Sequence, residues 1–371
     1  MIAPVRRNVI VFAGGGTGGH LYPAVAVARA LPSMQPLFVV PPDRGDRQRL
    51  DGEFRCIETA SPRWDRGRVL YPGRLARAIV RARRLLRREE ARAVVGLGSY
   101  ASVPTCLAAR SMGLPVYLMA FDAVPGKATR MLAPIARGIG LGSELARTRF
   151  PLRAPVRVTG TPLREELRRD GSPEQFGLPR GLPTLLVFGG SQGAHSLNRR
   201  IVEGIATCPD LAFQVIHVAG PEDEASVRDA YERMERPASV HGFVDDMGAA
   251  YAAADVVVCR GGASSVAECL ALGKPAVFVP YPWHKDEHQT HNARSAARAG
   301  AAQVVKEREL DAPRVRKLIE TLLLSRDARA SMAERASDLG RPAAAQLMAT
   351  HLMESLGDTL KQPTWTTELG G

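Results

Sequence analysis

At roughly 150 residues per domain, a chain of 371 residues is too long for one small module, and 45% hydrophobic with 24% charged residues excludes a disordered or fibrous protein. No apolar run approaches the ~18 residues of a membrane-spanning helix, and the opening Met1-Ile2-Ala3-Pro4-Val5-Arg6-Arg7-Asn8 meets glycine at Gly14 too soon for a signal peptide, so export is not expected. The net charge of +12 is uneven: residues 1–162 carry 26 basic and 10 acidic side chains, and the remainder 24 and 28. The first half therefore sets up a positive field suited to phosphorylated substrates, an anionic membrane or nucleic acid. Cys56, Cys106, Cys208, Cys259 and Cys269 show neither paired nor metal-ligand spacing and fit a reducing cytoplasm.

Short β-branched runs alternate with longer Ala/Leu/Arg stretches, the pattern of parallel strands joined by crossover helices, so the fold class is α/β. Strands are expected near Asn8–Ala13, Leu37–Val40, Ala93–Leu97, Val116–Met119, Gly138–Leu141 and Val156–Thr159. A helix is expected over Tyr22–Leu31. A second set of strands follows at Thr184–Phe188, Ala212–His217, around Val240, Asp255–Cys259, Ala276–Val279 and Ala302–Val305. Two such sets exceed one ordinary sheet, and the Pro/Arg-rich Pro151–Arg164 lies between them. The expected division is residues 1–162, residues 163–340, a final helix within 341–357 and a loose tail at 358–371.

The first strand runs into Gly14-Gly15-Gly16-Thr17-Gly18-Gly19-His20. Glycines permit close backbone approach and a helix N-terminus adds partial positive charge, so the turn favours an anionic or polar ligand. Gly14, Gly16 and Gly19 also satisfy the dinucleotide fingerprint, with Asp43 as a candidate ribose partner, although a tight turn alone accounts for the glycines. A second such loop is Gly189-Gly190-Ser191-Gln192-Gly193-Ala194, and a third is Arg260-Gly261-Gly262-Ala263-Ser264-Ser265-Val266-Ala267-Glu268. A nicotinamide enzyme needs only one of them, so three move the reading from oxidoreductase to a diphosphate ligand held between two domains.

No Asp-x-Asp pair occurs, and no metal or other cofactor is expected. His284, His288 and His291 lie near Asp286 and Glu287 at spacings open to zinc, but the segment reads better as a polar loop and helix start contacting sugar hydroxyls. Between Arg63 and Arg92 stand 11 arginines, with Leu75, Ile79, Ala82 and Leu86 at helical spacing. This helix suits an anionic membrane surface, or else packs its stripe on the sheet with its arginines solvated. Nucleic acid is not expected as a partner, because only Trp64 and Tyr71 interleave the arginines.

These residues resemble the MurG family of peptidoglycan glycosyltransferases, which add N-acetylglucosamine to lipid I. The resemblance rests on Gly15–His20, Gly189–Ala194, Phe243-Val244-Asp245-Asp246-Met247, Gly261–Glu268, and His288-Gln289 with Asn292. It implies the GT-B architecture, two Rossmann-like doubly wound parallel-sheet domains facing a cleft. The donor, UDP-N-acetylglucosamine, would sit mainly on the second domain and the lipid-linked acceptor on the first, at the cytoplasmic face of the membrane. Thr17, Gly18 and Gly19 would approach the donor sugar and diphosphate, and Ser191 would hydrogen-bond phosphate, with Gln192 and Gly193 also binding the donor. Val244 would present backbone to the uracil, Glu268 would accept from the ribose, Gln289 would contact the sugar hydroxyls, and Asn292 would also belong to the donor-binding set. Arg164 matches an arginine near the donor, with Thr161 where the family has asparagine. The family's His-Glu-Gln-Asn reads Met119-Ala120-Phe121-Asp122 in this chain, which removes an acid and an imidazole and puts a carboxylate in place of an amide. His20 is the candidate general base, with Asp122 as its competitor. The rival functions are a related transferase with another acceptor and a non-catalytic nucleotide-sugar-binding protein.

Overall fold

The computed structural model describes residues 8–15, 18–42, 45–50, 52–62, 71–151, 153–190, 193–283 and 287–357. Among them, two wholly parallel sheets form. The first comprises β1 (Val9–Ala13), β2 (Gln35–Val40), β3 (Arg55–Glu58), β4 (Ala91–Gly96), β5 (Val116–Ala120), β6 (Gly138–Leu141) and β7 (Val156–Val158), in the order β3-β2-β1-β4-β5-β6-β7. In the second, β8 (Thr184–Phe188), β9 (Gln214–Val218), β10 (Ala238–His241), β11 (Val256–Cys259), β12 (Ala276–Phe278) and β13 (Ala302–Val304) lie in the order β10-β9-β8-β11-β12-β13. Each sheet reverses its direction of winding beside its first strand, at β1/β4 and at β8/β11. The crevices at the carboxyl ends of those strands are where doubly wound sheets take ligands.

The first domain's helices are α1 (Gly18–Arg29), α2 (Asp46–Leu50), α3 (Tyr71–Arg88), α4 (Val103–Ser111), α5 (Lys127–Leu132) and α6 (Glu144–Arg147). Those after β8 are α7 (His195–Ile205), α8 (Glu224–Arg233), α9 (Met247–Ala253), α10 (Ala263–Ala271), α11 (His288–Arg298), α12 (Ala312–Leu318), α13 (Arg326–Leu339) and α14 (Ala344–Leu356).

Side chains alternate across a strand, and β1 shows the consequence. Val9, Val11 and Ala13 join one buried cluster, while Ile10 and Phe12 join another on the opposite face. All five are buried because helices cover both faces. Each large apolar side chain so buried contributes roughly 1.5–3 kcal/mol. In the second sheet, Leu185 and Val187 face one cluster and Leu186 and Phe188 the other.

The last helix does not stay with the second sheet. On α14, Met348, Ala349, Leu352 and Met353 pack with Ile10, Phe12 and Leu21 of the first domain. Its His351 Nδ1 pairs with the Tyr117 hydroxyl at 2.9 Å, and Glu354 accepts from Arg157 at 2.7 Å. Gly140 on β6 makes this approach feasible, since a Cβ there would stand 2.5 Å from the Tyr117 oxygen and 2.9 Å from Met348. The two chain crossings between sheets run side by side: Arg168 donates to the Pro342 carbonyl at 2.9 Å.

Three expectations change. Helix α1 begins at Gly18 rather than Tyr22. The strand β3 was not anticipated; Arg55-Cys56-Ile57-Glu58 lies at the sheet edge with no side chain fully buried, so it carries no apolar run. In α3, Ala82 and Leu86 are buried in the first core and Leu75 and Ile79 pack against it. The apolar stripe therefore serves the fold and is not presented to a membrane. Residues 63–70 of the basic stretch and the tail at 358–371 lie outside the described residues.

Candidate active site

The turn after β1 is built on glycine by necessity. Gly14 has φ +131° and Gly15 +119°, where side chains are strained. A Cβ on Gly15 would also sit 2.6 Å from a carboxylate oxygen of the buried Asp46 on α2. Beyond the turn, α1 points its N-terminus into the crevice, with Gly18 and Gly19 in its first turn. Pro23 lies inside this helix. It has no N–H to offer the carbonyl four residues earlier, which is that of Gly19. That carbonyl instead accepts from Ser264 Oγ, at 3.3 Å, in the first turn of α10. One missing backbone donor thus opens an acceptor to the other domain.

His20 lies on the same turn, its ring 6.4 Å from that of Phe121. Its Nδ1 is buried and has no hydrogen-bond partner among the described residues. Burial pushes the imidazole below its ordinary pKa, and the carboxylates of Asp122 and Asp46 partly offset this. At neutral pH the ring is uncharged and able to take a proton. The segment where the chain departs from the family motif is mostly core: Met119, Ala120 and Phe121 are buried. Asp122, half-buried, accepts from Asn292 Nδ2 at 3.0 Å.

In the second domain, Gly190 (φ +97°) and Gly193 (φ +72°) bracket the loop after β8, closed by Gly193 N–H donating to the Gly190 carbonyl at 3.0 Å. Below it, Asn198 on α7 donates to the Ala219 carbonyl and to Asp223. Its amide oxygen must then accept from His217 Nε2, at 3.1 Å, while His217 Nδ1 faces the Tyr231 hydroxyl at 3.0 Å. The ring is therefore the neutral Nε2–H tautomer, and burial drives its pKa down to about 3.

The loop after β11 carries a residue for which the sequence suggested no role. Arg260 is buried, pairs with Glu307 at 2.5 Å, and donates to the Val279 carbonyl and Ser196 Oγ. It ties this loop to the start of α7 and to the end of β12. Its only sequence signal is a charge between a buried strand and a glycine pair. On α10, Glu268 accepts from the Tyr251 hydroxyl at 2.8 Å. Burial raises its pKa, opposed by that hydrogen bond and by the charge of Arg164. The Arg164 guanidinium lies 3.9 Å over the Tyr22 ring of α1, and its Nε is buried without a partner among the described residues.

Gln289 accepts from the Tyr281 N–H at 2.9 Å, and Val244 packs partly buried between β10 and α9. The structure thus brings His20, Gly18, Gly19, Asp122, Arg164, Glu268 and Asn292 to the facing ends of the two sheets. Thr17, Ser191 and Gln192 lie outside the described residues, as do Gly16, Asp43, His284 and Asp286. Among the described residues, no group of three or more His, Cys, Asp or Glu is arranged to hold a metal.

Residues 10–141 match the glycosyltransferase family 28 N-terminal domain, and residues 184–348 match the family 28 C-terminal domain. A protein of Chlorobium luteolum named UDP-N-acetylglucosamine–N-acetylmuramyl-(pentapeptide) pyrophosphoryl-undecaprenol N-acetylglucosamine transferase is 37% identical over 368 residues, 93% of this chain and 98% of the relative. A protein of the same name from Sinorhizobium fredii is also 37% identical, covering 94% of this chain and 96% of the relative. The chain belongs to the MurG family. The crystal structure of Acinetobacter baumannii MurG superposes with a TM-score of 0.76 at 27% identity, covering 94% of this chain and 99% of that one. Membership of the MurG family makes the chain a glycosyltransferase of GT-B architecture. The Staphylococcus aureus MnaA–UDP structure, at 12% identity and a TM-score of 0.68, shares the fold alone.

The buried His217 gives the second domain an acid weakness. Below pH 6.5 the unfolded imidazole takes up a proton, whereas the folded one stays neutral down to about 3, so stability falls as pH drops through that window. Between pH 7 and pH 5 the loss amounts to about 2 kcal/mol. His217→Gln, which keeps one donor and one acceptor, is expected to flatten this dependence in urea denaturation followed at both pH values.

Proposed function

We propose that the chain transfers N-acetylglucosamine from UDP-N-acetylglucosamine to lipid I with inversion, giving lipid II. The observation that carries this reading is the facing pair of helix N-termini, α1 and α10, in hydrogen-bonding contact through Gly19 and Ser264 beside the neutral His20. The acceptor hydroxyl attacks the anomeric carbon from the face opposite UDP, its proton passes to His20, and the bond from that carbon to the β-phosphate oxygen breaks. Amides and dipoles at helix N-termini stabilise the charge that develops on the leaving diphosphate.

In this reading Thr17, Gly18 and Gly19 meet the donor from the first domain, and Ser191, Gln192 and Gly193 hold phosphate. The backbone of Val244 takes the uracil, Glu268 the ribose hydroxyls, Gln289 the sugar, and Arg164 the donor's negative charge. Residues 1–162 serve the acceptor and the membrane, and residues 163–340 the donor. The described residues contain no helix long and apolar enough to cross a membrane. Because the stripe of α3 is spent on the core, membrane attachment at the cytoplasmic face would rest on its outer arginines, among them Arg77, Arg81, Arg84 and Arg87, all exposed.

His20→Ala is expected to lower turnover by roughly 10²–10⁴-fold, the usual range for a general base, with UDP affinity nearly unchanged. Because burial lowers the His20 pKa from 6.5, the acid limb of the wild-type kcat/KM profile should fall below that value. Rates measured with purified lipid I test both statements, and an unslowed variant would remove His20 from the chemistry. Glu268→Gln should weaken UDP binding by about 1–3 kcal/mol through loss of a charge-assisted hydrogen bond, as read by calorimetry. Sedimentation with vesicles should show binding to anionic but not neutral lipid, lost with added salt, since each arginine at the surface contributes about 1 kcal/mol of screened attraction.

A further inference from the structure

The side chain of Asn292 lies on α11 and is buried, yet it is not turned toward open space. Its Oδ1 accepts from the Ala123 N–H at 2.7 Å, and its Nδ2 donates to Asp122 Oδ1 at 3.0 Å and to the Gly261 carbonyl at 3.1 Å. Two of these partners belong to the segment after β5 in the first domain. The third belongs to the glycine loop after β11 in the second. Among the described residues the other contacts between the domains are of a different kind. Arg164 over Tyr22 and Glu166 with Arg29 engage the connecting segment, Ser264 to Gly19 is one hydrogen bond, and Ala263 makes an apolar contact with the first-domain core. Of the described residues, Asn292 alone joins the end of a first-sheet strand to a donor-side loop through several bonds.

We infer that Asp122 and Asn292 form a latch that holds the two domains closed and sets the Gly261 loop, and that Asp122 is a positioning residue and not the base. This deepens the proposed transfer reaction and rests on it for its consequence in catalysis. A carboxylate can only accept hydrogen bonds. Asp122 therefore forces the amide NH₂ of Asn292 toward itself and Gly261, which leaves the amide oxygen facing the Ala123 N–H. The flipped amide would set donor against donor at Ala123 and acceptor against acceptor at Asp122 and Gly261. The charge on Asp122 strengthens the bond that selects this orientation. An asparagine at position 122 can serve the same purpose by presenting its oxygen, so the latch predicts tolerance of the amide. A general base at that position does not.

The test is a set of full-length variants, Asp122→Ala, Asp122→Asn, Asn292→Asp, and the pair Asp122→Asn with Asn292→Asp. Each is followed by small-angle scattering, by hydrogen exchange at the Ala123 amide and by steady-state kinetics with UDP-N-acetylglucosamine and lipid I. Asp122→Ala removes the acceptor, and Asn292→Asp sets two carboxylates against each other. Both should enlarge the radius of gyration, speed exchange at Ala123 and raise the donor KM roughly tenfold or more, with a smaller effect on kcat at saturation. Asp122→Asn should stay close to wild type. The pair should recover much of what Asn292→Asp loses, because the amide introduced at position 122 can donate to the carboxylate introduced at position 292. Unchanged scattering and exchange in Asp122→Ala and Asn292→Asp would overturn the latch. Abolished turnover in Asp122→Asn with closure intact would overturn the assignment of Asp122 as a positioning residue and return it to the chemistry. Should the wild type prove inactive on lipid I, scattering and exchange still decide the latch, and the proposed transfer alone would fail.

Discussion

A helix that begins directly at the carboxyl end of a buried parallel strand leaves its first N–H groups without partners inside the helix. In this chain that constraint is met where the turn after β1 brings α1 to the crevice, and again where α10 follows β11. The chain reverses so tightly after β1 that Gly14 and Gly15 both take positive φ, with Asp46 pressed against the second of them. The same geometry that makes the turn strained for other residues suits it to the diphosphate of the proposed donor.

The two halves of that site come from different sheets, and few groups join them. Pro23 leaves the Gly19 carbonyl without its helical donor, and Ser264 supplies one from across the crevice. Arg29 pairs with Glu166 and Glu53, and Arg164 stacks on Tyr22. The Arg29 and Arg164 contacts are partly solvated, as is common between domains of one chain. Within the second domain, Arg260 with Glu307 and the His217–Asn198–Asp223 chain fix the loops from beneath. Loops held in this way are preorganised for a ligand.

The electrostatics of His20 also depend on both short- and long-range neighbours. Burial against Phe121 favours the neutral ring, and Asp46 and Asp122 moderate that effect. Where the family pattern has polar residues, Met119, Ala120 and Phe121 are buried apolar side chains. The acid and the imidazole of the family pattern are thus replaced by core side chains, and in the proposed reaction proton uptake rests on His20 of α1.

Much of this architecture was written in local patterns. Fully apolar strands such as Val9–Ala13, glycine pairs at their ends and Ala-rich helices after them fix a doubly wound fold, because each follows from the period and chemistry of a few neighbouring residues. The sequence also marked His20, Glu268 and the three glycine loops. It could not reveal β3, whose Arg55-Cys56-Ile57-Glu58 becomes a strand only by pairing with β2. Nor could it place the start of α1 at Gly18, ahead of the expected Tyr22, since Pro23 inside the helix leaves the Gly19 carbonyl to a donor on another domain. The stripe of α3 was legible as a stripe, but whether it meets a membrane or a sheet is a matter of what lies opposite. The tertiary structure alone decided that Asn292 faces Asp122 and Ala123, 170 and 169 residues away in the chain. Hydrogen bonds between groups so distant depend on the packing of two domains, and no local propensity records them.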